Sequence, residues 1–334
     1  MFDLYHKVAI GPLTTEGNLF LAPLAGFSDR AFRSVCVQFG ANFSYTEMVS
    51  SEGLIRDSQK TRRLLLRAPN EQFLAIQLFG SNPETMAEAT KILLRDFAPS
   101  LIDINAGCPV KKVTKTGSGA ALTRDFITLG KIVAATVKAT EEFSAESGCP
   151  KIPVTVKIRS GWGKTPTFME AAKASFENGA AAITLHPRSC EQGYSGKANV
   201  DFTTQLSAEY SGKIPVFASG DVFSPEDARD VLVQTGCDAV MFARGATGNP
   251  FIFENTRRFL TEGSYESIPL RRKLDAAFSE LQLLIEDKGE DCACREMRKR
   301  FCAYTKGMEE GARLRKIICE SKTMEDYRRI WEIL

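Results

Sequence analysis

The chain predicts a (β/α)8 TIM barrel carrying a small all-helical C-terminal domain. Three observations predict it: eight short apolar runs, longer amphipathic stretches between them, and the absence of polar alternation within most of the runs. Strands that are apolar at every position are those buried on both faces, as in a parallel sheet covered by helices. An open doubly wound sheet is the rival. Eight units close naturally into a barrel, and no G-x-G-x-x-G follows the first run.

In order, strands are expected at 19–23, 43–46, 73–78, 101–105, 154–158, 181–186, 215–219 and 239–243. Helical patterning lies between them, clearest at 83–97, 123–142, 168–178 and 225–235. The 334 residues suit a barrel of about 250 residues plus an appendage. Gly263, Ser264 and Pro269 mark a boundary, and from about Ile268 the pattern is helical only, giving domains 1–262 and 268–334.

Bulk composition is that of a soluble globular protein. No secretory signal opens the chain, and no stretch approaches the ~18 apolar residues that span a membrane. Nine cysteines form no repeated framework; Cys292 and Cys294 are spaced C-x-C with no histidine near, so no metal site is expected. Reduced thiols, a cytoplasmic location, no membrane association and a monomer are the expectations. A formal charge of +2 does not by itself argue for nucleic acid.

The strand exits carry the chemistry. Asn105-Ala106-Gly107-Cys108-Pro109 follows the fourth strand, and places a thiol on a loop held by Gly107 and Pro109. Most free cysteines only fill cores. Cys108 differs in its position and in its company. The first exit gives Pro23, Leu24, Ala25 and Gly26, the second Glu47, the third Gln77. The fifth gives Lys157 and Arg159, the sixth His186 and Arg188, the seventh Ser219, Gly220 and Asp221, the eighth Ala243, Arg244 and Gly245. In a barrel these converge on one mouth.

The last two exits are where barrels commonly hold phosphate: glycines let backbone N–H groups approach an anion, and Arg244 supplies a charged fork. A lysine at position 157 suits a ligand that gains negative charge, and the Gln77 amide suits an imide-like edge. A flavin mononucleotide offers the phosphate, the pyrimidine edge and the reducible ring together. Cys108 then faces it as a general acid. The competing use is a nucleophilic Cys108 with His186 as base, His186 being one of only two histidines beside His6.

These motifs resemble the tRNA-dihydrouridine synthase family, most closely its bacterial B-type branch. The matching pieces are the 21–26 segment with Ser28-Asp29, Tyr45-Thr46-Glu47-Met48-Val49, Gln77-Leu78-Phe79-Gly80 and Asp103-Ile104-Asn105-Ala106-Gly107-Cys108-Pro109 with Lys112. They continue with Gly117-Ser118-Gly119-Ala120, Val156-Lys157-Ile158-Arg159 and Arg244-Gly245-Ala246 leading to Asn249-Pro250. The resemblance implies a reaction in which NADPH reduces bound FMN, a hydride passes to C6 of a uridine in tRNA, and a cysteine, by motif Cys108, protonates C5. It makes Pro23 to Ala25, Gln77, Lys157, His186, Ser219 to Asp221, Ala243 and Arg244 the FMN shell. Asn105, Lys112 and Arg188 then serve the substrate.

One departure stands out. Where the family has a second arginine in H-x-R-T-R, this chain has Cys190, and the tryptophan expected after Gln192-Gly193-Tyr194-Ser195-Gly196 is replaced by Val200. A planar, permanent charge is lost there, so contact with RNA or NADPH is expected to weaken or to move toward Lys197. The tail resembles the family's C-terminal helical RNA-binding domain. Its 292–316 stretch holds eight Lys/Arg against three Asp/Glu, and Arg298 and Arg300 are expected to contact tRNA. Two readings follow: a flavin-dependent reductase of uridine in tRNA, and a flavin-dependent reductase of a free pyrimidine or other small conjugated substrate with the tail as a lid.

Overall fold

The computed structural model describes residues 3–308 and 311–332; Glu309 and Glu310 of the basic stretch, the first two residues of the expected domain 1–262 and the last two of the expected domain 268–334 fall outside them. An antiparallel hairpin, β1 (Val8–Ile10) and β2 (Leu13–Thr15), turns at Gly11, whose φ of +56° is the left-handed region that glycine enters freely. The strands that follow are β3 (Leu19–Leu21), β4 (Phe43–Ser44), β5 (Val49–Ser50), β6 (Ala75–Phe79) and β7 (Leu101–Ala106). After them come β8 (Val154–Arg159), β9 (Ala182–His186), β10 (Val216–Ser219) and β11 (Ala239–Phe242).

From β3 onward the strands pair in parallel in the order β4-β3-β11-β10-β9-β8-β7-β6-β5, and a parallel bridge from Tyr45 to Ala75 closes the ring between β4 and β6. β4 and β5 are therefore two pieces of one barrel strand, parted at Thr46, Glu47 and Met48. All eight expected strands are present at the expected places, as are the helices Pro83–Phe97 and Pro225–Thr235. The hairpin and the split of the second strand were not foreseen. The helix expected at 123–142 begins later, as Phe126–Ser147, because Asp125 caps it by accepting from the Thr128 N–H at 3.0 Å.

The pleat sends alternate residues inward and outward, and this sorts the barrel by height. Inward residues low in the barrel are apolar: Phe20, Phe43, Leu101, Phe217 and Met241 form one cluster, plugged from below by Val8 and Ile10 of the hairpin. Phe20 and Phe217 meet edge to face at 5.1 Å. Outward residues such as Ile76, Leu78, Ile102, Ile104 and Val156 pack under the surrounding helices. Higher up, the inward positions turn polar, first Gln77, Asp103 and Thr155 side by side in register, then Asn105 beside Lys157.

Beyond the helix Ile252–Glu262, which ends at Gly263, the described residues form four further α-helices, Leu270–Lys288, Glu290–Tyr304, Gly311–Glu320 and Met324–Arg328, and a 3-10 turn at Arg329–Glu332. Their core is not closed on itself. Leu281, Met297, Phe301 and Ile318 share one apolar cluster with Ala31, Val35 and Phe251 of the barrel side. Gly248 marks how close the two parts come: a Cβ there would lie 2.5 Å from the backbone of Ala303 and Tyr304.

Candidate active site

A pocket of about 290 Å³ opens at the C-terminal ends of the barrel strands. Pro23, Leu24 and Ala25 form one wall, Gln77, Asn105 and Lys157 lie deepest, and Cys108 stands on the loop after β7. His186, Ser219, Gly220, Ala243 and Arg244 complete the opposite side. Residues from all eight strand exits thus meet here, the second contributing Met48 rather than Glu47.

The Cys108 loop is tied at each of its peptide groups. Asn105 Oδ1 accepts from the N–H groups of Gly107 and Cys108 at 3.1 and 2.9 Å. The Cys108 carbonyl accepts from the Ala120 N–H at 3.0 Å, and the Gly107 carbonyl from Arg159 Nε at 2.8 Å. The G-x-G-A segment is explained by this contact. A Cβ on Gly119, which sits at φ +62°, would come within 2.7 Å of the Cys108 carbonyl oxygen.

Electrostatics decides what the thiol can do. Burial raises the Cys108 pKa above its ordinary 9.0, outweighing the Val110 N–H and the charges of Arg159 and Lys157 that lower it. The thiol is held as S–H at neutral pH: a proton donor. His186 cannot serve as its base. Burial, reinforced by Lys157, Arg159, Arg188 and Arg244, pushes the imidazole down to about 2, so it stays neutral and offers only hydrogen bonds. The Cys/His nucleophile expected as the competing use is therefore not supported. Lys157, lowered to about 8 by burial and by Arg159, has no hydrogen-bond or ion-pair partner among the described residues and faces the pocket.

The side expected to hold a phosphate is more elaborate than the sequence implies. Asp221, in the left-handed region at φ +53°, accepts from Arg188 Nη2 at 2.5 Å, from the Ala198 N–H at 2.9 Å and from Arg244 Nη2 at 3.1 Å. Its carboxylate engages these donors and orients Arg244, and Asp221 does not line the pocket as its neighbours Ser219 and Gly220 do. Arg188 does not line the pocket either. Its guanidinium is 2% exposed and donates to the Ser195 and Gly196 carbonyls as well as to Asp221, so it fastens the 189–198 loop rather than meeting a substrate. Arg244 remains half exposed, stacked 4.8 Å from the centre of the Tyr194 ring.

Residues 20–332 match the family model described as dihydrouridine synthase. The chain belongs to the dihydrouridine synthase family. It is 54% identical over 307 residues to a probable tRNA-dihydrouridine synthase of Treponema pallidum, covering 91% of this chain and 89% of that one. With tRNA-dihydrouridine synthase B of Pseudomonas aeruginosa it shares 35% identity over 299 residues, 89% of this chain and 86% of the other. Among solved structures it resembles the DHODH of Eimeria tenella bound to ferulenol, with TM-score 0.55 and 16% identity over 77% of this chain and 83% of that one. It also resembles histamine dehydrogenase from Rhizobium sp. 4-9, with TM-score 0.54 and 14% identity over 84% of this chain and 51% of that chain. At such identities the likeness is one of fold, and it is the barrel.

Within this family frame the tail residues depart from expectation. Arg300 is 1% exposed and lies between Asp29, at 2.7 Å, and Glu280, at 2.7 Å, with Tyr304 Oη donating to the second Glu280 oxygen at 2.8 Å. It is unavailable to an RNA phosphate. Arg298 donates twice to the Ser321 carbonyl, at 3.1 and 2.8 Å, within the helical domain. Lys299 reaches the other way, to the Gly26 carbonyl at 2.7 Å and over the Phe27 ring at 4.2 Å. Lys299 and Arg300 dock the helices onto the loop that continues from Pro23 to Ala25. Lys112 is exposed outside the pocket, beside Lys111 and Lys115.

The sequence reading passed over Met48, Val110 and Tyr194 as lining residues. Met48 had a signal, because it follows the second strand exit in a matched motif. Tyr194 is 55% exposed and gave no pattern beyond its place in the loop. Cys190 is buried, its N–H donating to the Gly161 carbonyl at 2.9 Å, so nothing charged stands where the family's arginine does. No helix among the described residues is long and apolar enough to cross a membrane.

Proposed function

We propose that this chain is a flavin-dependent tRNA-dihydrouridine synthase, reducing specific uridines in tRNA to 5,6-dihydrouridine, with FMN as cofactor and NADPH as its reductant. The observation that carries the reading is a half-buried Cys108, its pKa raised by its surroundings, at the rim of a pocket whose floor presents a polar amide and an unpaired lysine. The donor set fits FMN. Gln77 keeps one amide N–H and one lone pair for a pyrimidine edge, the Lys157 ammonium suits a ring that becomes negative on reduction, and Arg244 with the Gly220 backbone suits the phosphate. When bound, FMN supplies the hydride that C6 receives.

The chain's own residues do the rest. Cys108 delivers the proton to C5, and Asn105, with Arg159, keeps its loop in place. His186 stays uncharged beside the ring. A uracil in folded RNA must leave its stack to enter the pocket, so the reading includes base extrusion. Residues 1–262 form the catalytic barrel and 268–334 the helical domain of a cytoplasmic monomer. With Arg298 and Arg300 committed internally, RNA contact falls to the exposed Lys306, Arg313, Arg315 and Lys316, and to the Lys111, Lys112 and Lys115 cluster.

One observation favours the second reading, a reductase of a free pyrimidine or other small conjugated substrate: the tail is docked on the barrel, as a lid would be. The deciding experiment is mass analysis of tRNA nucleosides from a strain lacking the protein, with the spectrum of the purified protein. A yellow protein and missing dihydrouridine support the proposal. Undiminished dihydrouridine together with rapid turnover of free uracil supports the second reading, and a colourless protein that takes up no FMN defeats both.

A further inference from the structure

Three side chains link the barrel interior to the Cys108 loop, and the two ends of the link fix every hydrogen bond within it. At the upper end, the Gly107 and Cys108 N–H groups can only donate, and both reach Asn105 Oδ1. At the lower end lies Asp103, fully buried, whose carboxylate can only accept. Between them Asn105 Nδ2 donates to Gln77 Oε1 at 2.8 Å, and Gln77 Nε2 donates to Asp103 Oδ2 at 2.6 Å. Turning either amide over would set donor against donor and oxygen against oxygen. Only one arrangement satisfies the whole chain, and buried polar groups left unpaired are costly.

We propose that Asp103, as a carboxylate, is a positioning residue for this reaction: it dictates which way the Gln77 amide faces the bound ring and, through Asn105, holds the Cys108 loop. The proposal rests on the flavin reading above. A residue that merely filled hydrogen bonds would not need the charge, because a neutral amide of the same shape could fill them as well. The charge matters because it makes the lower end accept only. A protonated Asp103 could donate to Gln77 Oε1, releasing both amides to turn and leaving the loop N–H groups without their acceptor.

The groups facing Asp103 are Gln77 from β6, Thr155 and Lys157 from β8, and Tyr45 beyond β4. Burial raises the carboxyl to about 6 against the pull of Thr155, Gln77 and Lys157. The arrangement is therefore complete above that pH and is lost as pH falls through it.

The test uses the full-length protein loaded with FMN. The visible spectrum of the bound flavin, and its single-turnover reoxidation by tRNA, are followed from about pH 4.5 to 8. One transition near 6 should appear in both. Thr155→Val removes a hydrogen bond that favours the carboxylate and should move the midpoint upward. Asp103→Asn keeps the shape but can donate or accept at the lower end, so the transition should vanish and the rate drop about tenfold or more at all pH values, the cost of a misplaced reacting group. If Asp103→Asn fails to fold, the wild-type midpoint and its movement in Thr155→Val decide alone. A yellow wild type with a flat titration, or an Asp103→Asn protein that matches it, overturns the role of Asp103 only. A wild type that takes up no FMN overturns the flavin reading and this one with it.

Discussion

Arg300→Ala should unhinge the helical domain from the barrel. The guanidinium sits between two buried carboxylates, Asp29 at 5% and Glu280 at 0% side-chain exposure. Removing it leaves Asp29 with Lys288 at 3.0 Å and leaves Glu280 with only the Tyr304 hydroxyl. Breaking such a buried pair costs ~3–5 kcal/mol, since a charge is stranded without its partner. An independent figure comes from Asp29. Burial would raise its pKa, but Arg300 and then Lys288 win and hold it at about 2 instead of 3.8. At 1.36 kcal/mol per unit this amounts to about 2 kcal/mol, less than the pair figure because it is the net left after burial has opposed the two cations. As a depressed carboxylate, Asp29 contributes this stability above about pH 4 and loses it as pH falls toward 2. With an unfolding entropy of ~2.1 cal/mol/K per residue, 334 residues unfolding together would melt about 4–7 °C lower. The assay is thermal denaturation followed by far-UV circular dichroism and by flavin fluorescence. Arg298→Ala, which loses only hydrogen bonds to one carbonyl, should cost ~1 kcal/mol and serves as the control. If Arg300→Ala melts like wild type yet binds tRNA poorly, the arginine works at the RNA and the buried-clamp argument fails.

Cys108→Ala should retain flavin and NADPH oxidation but reduce uridine ~10²–10⁴-fold more slowly, read as single-turnover reoxidation by tRNA; a near-normal rate would make Cys108 a structural thiol. Because Lys157 is held near 8, FMN affinity should weaken as pH rises through that value, and titration calorimetry on Lys157→Met should show the step removed. Arg244→Ala should release FMN more readily on dialysis while the protein stays folded, since Arg188 still pairs with Asp221. Unchanged FMN retention would place the phosphate elsewhere.

The barrel and its mouth were legible because both are written locally. Each strand is a short apolar run, each ends in polar or glycine-rich residues, and closure brings the endings together whatever the loops between them do. Arg300 was not legible for the opposite reason. Its partner Asp29 lies 271 residues away, and a basic run reads as a solvated face until the fold brings the acids to it. A signal was present all the same: Ala293, Met297, Arg300 and Tyr304 recur at helical spacing, so Arg300 falls on the buried stripe of its own helix. The pairing of Arg188 with Asp221 was hidden on similar grounds, because a charged residue at a strand exit reads as facing the ligand. Which of two charges faces the pocket and which braces it from behind depends on loop geometry that no spacing encodes.

The distribution of charge around the pocket argues for the order of these roles. Lys157, Arg159, Arg188 and Arg244 all act on His186, whereas the carboxylates are drawn away from it: buried Asp103 to Gln77, part-exposed Asp221 to Arg188 and Arg244. Such a site attracts anions and would ordinarily favour a thiolate, as in enzymes that use cysteine as a nucleophile. Cys108 escapes this pull because burial outweighs it, with Arg159 turned to the Gly107, Ser189 and Gly193 carbonyls rather than to the sulfur. An anionic ligand bound at Lys157 and Arg244 would cancel part of the remaining positive field and raise the thiol further. Ligand binding therefore keeps the proton on the sulfur and leaves less thiolate to act as a nucleophile. A site with that dependence is suited to handing over a proton after negative charge has arrived, which is the order that reduction of a conjugated double bond requires.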